Sequence, residues 1–104
     1  MRRYAPKTDE NQPEIVQALR DAGCSVQSLS FVGKGCPDLL VGRDGRNFLL
    51  EVKWPLGTPS HRALTPDQAK WHREWRGAIH VVYSALDALR IIGNHDRTVR
   101  EEEA

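Results

Sequence analysis

The sequence predicts a mixed α/β fold, a four-stranded sheet flanked by helices in the order α-β-β-β-α-β-α. Three observations lead there. Two apolar, strand-like runs, residues 35–42 and 47–53, are joined by Arg43-Asp44-Gly45-Arg46. Asp-Gly between such runs is a strong signal for a two-residue type I′ hairpin. Helix-start patterns at Asn11 and Thr65 bracket this hairpin, and a further apolar run, Ile79-His80-Val81-Val82-Tyr83, follows the second helix. Strands alternating with helices in this way build a sheet covered by helices.

Taking the elements in order, residues 1–10 are polar and basic and are expected to be a flexible N-terminal segment. Asn11 is expected to cap the first helix, with Pro13 in its first turn and Glu14 three residues on. Ile15, Val16, Leu19 and Ala22 form its apolar stripe, and Gly23 ends it. Cys24 to Phe31 reads as a weak strand leading into a basic loop, Val32-Gly33-Lys34-Gly35. The hairpin strands Leu39-Leu40-Val41 and Phe48-Leu49-Leu50 are continuous rather than alternating, which predicts burial on both faces. Residues 54–62 are a Pro/Gly-rich loop. Thr65-Pro66-Asp67-Gln68 opens a helix by capping box, with proline at its first position, and Gly77 stops it. Ser84 to Asp87 starts a last helix ending near Gly93, and residues 94–104 read as a polar, acidic tail. The folded domain is therefore expected over 11–93.

At 104 residues the chain can build one core. It holds no long apolar run for a membrane span and no apolar segment after Met1-Arg2-Arg3, so a cytoplasmic protein is expected. Cys24 and Cys36 are too few for a disulfide framework or a zinc site and are expected to be reduced core residues. The net charge of +1 rises to +4 without Glu101-Glu102-Glu103. That mild basic bias permits a polyanionic partner without demanding one.

The hairpin carries the chemistry. With Asp44 and Gly45 as the turn, Leu40 faces Leu49 and Asp38 faces Glu51, while Lys53 shares the face of Glu51. Opposed residues have Cβ atoms roughly 4.5–5.5 Å apart. Two carboxylates that close repel, and one must keep its proton unless a hard divalent cation, which takes oxygen ligands, sits between them. The plainer alternative is a solvent-facing edge where Glu51 and Lys53 are surface charges. Charges at the end of a central strand weigh against it.

Gly35-Cys36-Pro37-Asp38-Leu39-Leu40, Leu50-Glu51-Val52-Lys53, Leu64-Thr65-Pro66-Asp67-Gln68 and Val81-Val82-Tyr83-Ser84, in this order and spacing, resemble the core of the PD-(D/E)xK nuclease superfamily. The closer resemblance is to its VRR-type branch, found as stand-alone phage and bacterial proteins and within larger DNA-repair enzymes. It spans roughly residues 11–93 and implies a restriction-endonuclease-like core. It further implies a metal-dependent endonuclease that uses Mg²⁺ or Mn²⁺ and no small-molecule cofactor. Asp38, Glu51 and the Val52 backbone carbonyl would hold the metal. Lys53 would hold or deprotonate the attacking water.

Glu14 matches a helical glutamate that reaches the metal in related enzymes, or is only a helix-capping carboxylate; Glu10 is a weaker competitor. Gln68 either orients Lys53 or a phosphate, or merely completes the capping box. Lys34, His61, Arg62, Lys70 and Arg73 are candidate DNA-phosphate contacts, each also readable as a solvated charge. Trp71 and Trp75 read as core or subunit interface, and His80 as a sheet residue. Stand-alone members of the branch resemble Holliday-junction resolvases acting as homodimers on branched DNA. The alternatives are a non-catalytic DNA-binding or assembly module on the same fold, or a duplex or single-strand nuclease without branch selectivity.

Overall fold

The computed structural model describes residues 9–93, apart from the side chains of Ser60 and His61. Residues 1–8 and the tail 94–104 lie outside the described residues. The elements are α1 (Gln12–Asp21), β1 (Ser25–Ser28), β2 (Leu39–Arg43), β3 (Arg46–Val52), α2 (Pro59–Arg62), α3 (Pro66–Glu74) and β4 (His80–Val82). A last helical stretch, α4, covers 85–93. The strands form one mixed sheet in the order β1-β2-β3-β4. β1-β2 and β2-β3 are antiparallel, and β3-β4 is parallel. This is the expected mixed α/β architecture with one addition: the Pro/Gly-rich segment after Lys53 contains the short helix α2.

The hairpin forms as its sequence dictates. Asp44 and Gly45 have φ of 52° and 79°, the two positive values a type I′ turn requires and that Asp-Gly supplies at low cost. Arg43 pairs with Arg46 and Leu40 with Leu49. A one-residue slip would have put every side chain on the wrong face.

That register divides the sheet. Leu39, Val41, Leu50, Val52 and Val82 point to one side, where they pack with Ile15 and Leu19 of α1 and Ala88 and Ile92 of α4. Gly23, at φ 90°, lets the chain leave α1 while Cys24 N–H donates to the Leu19 carbonyl at 3.0 Å. This left-handed exit adds a bond to the last-turn carbonyls of α1. Ala22, expected in the apolar stripe of α1, is exposed because it already belongs to that exit.

The other side departs from two-sided burial. Leu40 and Val81 are each 36% exposed. Among the described residues, the helix over this face is α3, and it has nine residues. Its Trp71 stacks on Trp75 at 4.6 Å between ring centroids. A cavity of about 480 Å³ remains, lined by Leu29, Leu40, Leu49, Trp71, Trp75 and Ala78, among others. Cys36 also lines it and is half-buried, so only Cys24 is a core thiol; both are free. β1 is shorter than expected, and α3 stops before Gly77 because Trp75 already takes an extended backbone, φ −74° and ψ 130°.

Asn11 does not cap α1. It lies in helical conformation with no side-chain cap bond. Its amide instead donates to the carbonyls of Lys53 (3.0 Å) and Tyr83 (2.9 Å). These carbonyls sit just past the ends of β3 and β4, so Asn11 ties the start of α1 to the sheet edge that carries the charged residues.

Candidate active site

Asp38 lies one residue before β2 and continues its pairing: its N–H donates to Leu50 carbonyl at 3.1 Å, and Leu29 N–H donates to its carbonyl at 2.8 Å. Pro37, fully buried and unable to donate, precedes it at the edge of the ladder. Asp38 Oδ2 accepts the Val52 N–H at 2.7 Å. In an extended strand the N–H and C=O of one residue point the same way, so the Val52 carbonyl also opens toward Asp38.

Glu51 follows Leu50 in β3, and by the same register it stands opposite Asp38. It is 1% exposed. Burial first, then the charge of Asp38 and a hydrogen bond with it, push the Glu51 carboxyl up from 4.5 to about 9; Lys53 opposes the shift and Asp9 adds to it. One of the two facing carboxyls therefore keeps a proton at neutral pH, which is the conflict the register creates. Asp9 was placed by sequence in a loose N-terminal segment, yet it is partly buried and close enough to act on Glu51.

Gln68 in α3 binds both charged residues. Lys53, 5% exposed, can only donate, and its Nζ donates to Gln68 Oε1 at 2.6 Å. The amide nitrogen is thereby turned to Glu51, and Nε2 donates to Oε2 at 3.0 Å. The same Oε1 accepts Thr65 N–H at 3.0 Å, and Thr65 Oγ1 accepts Gln68 N–H at 3.2 Å. The two readings of Gln68, helix cap and partner of Lys53, are both realised: the capping box fixes the rotamer that presents the amide to the site.

The loop before Asp38 is clamped to the start of α3. Gly35 has φ 85°, and a Cβ there would collide with the Asp67 backbone. Only glycine permits this approach. The contact sets the distance between the Asp38 segment and the helix carrying Gln68.

His72, to which the sequence gives no role, belongs to this cluster. Its Nε2 lies 3.7 Å from Glu51 Oε1. Burial, then Lys53, pulls its pKa below the usual imidazole value. With Glu51 pushed up and His72 pulled down, the pair is neutral near pH 7 and the approach is not a salt bridge. Glu51 Oε1 and His72 Nε2 are both buried without a hydrogen-bond partner. The one signal that could have found His72 was its i,i+4 spacing from Gln68, which places both on one face of a helix. Cys36 also borders the cluster: burial, then the charges of Glu51 and Asp38, push its thiol up.

Glu14 and Glu10 are exposed, and among the described residues no group of three or more His, Cys, Asp or Glu is arranged to hold a metal ion. Glu14 lies in the first turn of α1, where its charge complements the helix. Lys34, Arg62, Lys70 and Arg73 are exposed. Lys34 and Lys70 line one cleft with Asp67, Trp71 and Glu74, and Lys70 pairs with Glu74 at 3.3 Å. His61 falls in α2, and its side chain is outside the described residues. His80 stands against Phe48, ring centroids 6.4 Å apart.

No protein-family model matches the sequence, and no curated protein does. A solved structure described as a VRR_NUC domain does match. It is 26% identical, the match covers 80% of this chain and 95% of that one, and the TM-score is 0.58. The chain is thus similar in fold and in sequence to a VRR_NUC domain. The shared fold is the mixed sheet, with Asp38, Glu51 and Lys53 gathered at its edge. Among the described residues, no helix is long and apolar enough to cross a membrane.

Proposed function

We propose that this protein, like the VRR-type nucleases it resembles, is a divalent-metal-dependent endonuclease that hydrolyses phosphodiester bonds in DNA. The observation that carries this reading is Glu51: fully buried, opposed to a second carboxyl, and with one oxygen lacking any partner. A carboxyl in that position needs a proton or a cation, and an all-oxygen set of Asp38, Glu51 and the Val52 carbonyl suits Mg²⁺ or Mn²⁺. Bound there, the cation supplies charge neutralisation at the scissile phosphate.

The chain's own groups do the rest. Asp38 is held rigid by backbone bonds on both sides, so little reorganisation is needed when charge arrives. Lys53 Nζ has three protons and gives one to Gln68, which leaves two to meet a phosphate oxygen and the attacking water. Gln68 keeps Lys53 and Glu51 at fixed separation, so the ammonium does not collapse onto the carboxyl. Lys34, Arg62, Lys70 and Arg73, with His61, would contact phosphates along the DNA, a salt-dependent and sequence-independent role. A subunit of this size offers one site, and a homodimer would present two to opposing strands of a branched molecule.

The test is incubation of the purified protein with labelled four-way junction, duplex and single strand, each with Mg²⁺, Mn²⁺ or chelator. Metal-dependent cleavage of the junction ahead of the other two is expected. Failure to cut any of the three in the presence of metal contradicts the nuclease reading, and equal cutting of junction and duplex removes the branch selectivity alone.

A further inference from the structure

Glu51 Oε1 and His72 Nε2 face each other across a gap that no hydrogen bond closes. Both atoms are buried, both lack a hydrogen-bond partner, and they face each other at 3.7 Å. A shared proton would hold them roughly 2.7–2.9 Å apart. A water hydrogen-bonded to both would have to subtend an angle of only about 80° at normal bond lengths. An ion about 2.1 Å from each subtends roughly 120°, an ordinary ligand angle. The arrangement is also held from behind: Gln68, one turn earlier on α3, holds Oε2 at 3.0 Å and leaves Oε1 turned to His72.

We propose that His72 Nε2 is a ligand of the cation held by Glu51, which makes the site a mixed nitrogen-oxygen seat selecting Mn²⁺, Co²⁺ or Zn²⁺ over Mg²⁺. This rests on the proposed ion at Glu51 and adds to it a ligand and a metal class. Imidazole binds borderline transition ions well and Mg²⁺ poorly, because the hard ion keeps oxygen and water around it. Of the other histidines in 9–93, His80 is engaged with Phe48. His72 would join Asp38, Glu51 and the Val52 carbonyl, and the remaining positions of a six-coordinate ion would stay open to water or a substrate oxygen.

The experiment is pulsed electron paramagnetic resonance on the whole chain loaded with Mn²⁺, alongside Mn²⁺ and Mg²⁺ calorimetry, for the unmodified protein, His72→Gln and Glu51→Gln. The unmodified protein should show nitrogen hyperfine modulation from an imidazole. His72→Gln should lose that modulation, and its preference for Mn²⁺ over Mg²⁺ should shrink on the order of tenfold. Binding that depends on Glu51 but shows no nitrogen modulation overturns the role of His72 and leaves the proposed nuclease site standing. Modulation that survives in His72→Gln overturns it too. No Mn²⁺ binding to the unmodified protein removes the Glu51 ion itself, and this inference with it. The first reading is made on the native chain, so it holds even where a variant fails to fold.

Discussion

The same two strands, β2 and β3, build both faces of the sheet, yet the faces obey different physics. On one side Leu39, Val41, Leu50 and Val52 are at most 1% exposed and share one apolar cluster with residues of α1 and α4. On the other, Leu40 and Leu49 border an open cavity of about 480 Å³, and Glu51 and Lys53 are buried under α3. The first face removes apolar area from water and holds the fold together. The second holds two ionisable groups out of water, which costs stability that an uncommitted surface would not lose. A small domain tolerates such a cost only where one face is stable enough to carry the other.

The largest effects should come from reversing each face's rule. Leu50→Ala or Leu39→Ala should lose about 2–5 kcal/mol of stability in denaturant titrations, whereas Leu40→Ala, 36% exposed, should lose less than about 1 kcal/mol. Equal losses would erase the distinction between the faces. Next, Glu51→Gln should lower cleavage roughly 10²–10³-fold while leaving the metal-free protein as stable or more stable at neutral pH. A variant that loses stability together with activity would make Glu51 a structural residue.

The pH dependence of stability sharpens the same contrast. The Glu51 carboxyl lies at about 9 folded against 4.5 as its ordinary value. The folded state holds this proton more tightly, so the stability it contributes is complete below 4.5 and is lost as pH rises to about 9. Urea midpoints of the metal-free protein should fall across that interval. The fall should be shallower in Glu51→Gln and with added divalent cation; a slope unaffected by either would contradict the assignment. The smallest effect belongs to the rim. Lys70→Ala breaks a pair whose members are 63% and 61% exposed. It should change stability by no more than about 0.5 kcal/mol and show itself only as a modest loss in salt-dependent DNA binding.

Much of this was legible in the residues. Asp44-Gly45 specified the turn, the turn specified the register, and the register put Asp38 opposite Glu51 with Lys53 beside it. Thr65 and Gln68 announced their capping box. The rest was hidden for physical reasons. A continuous apolar run reads the same whether its second face meets a helix or an open cavity, so the exposure of Leu40 was invisible. Asn11 carries a helix-cap preference, and that local preference was outcompeted by two carbonyls far away in sequence. His72 and Asp9 gained their meaning only from long-range proximity to Glu51.

The central claim is that a divalent cation takes the place of the proton trapped on Glu51. Calorimetric titration of Mn²⁺ at neutral pH, repeated in buffers of different ionisation heat, counts the protons released per ion bound. Close to one proton is predicted for the unmodified protein, and none for Glu51→Gln. Binding without proton release, or release that persists in Glu51→Gln, would contradict the account.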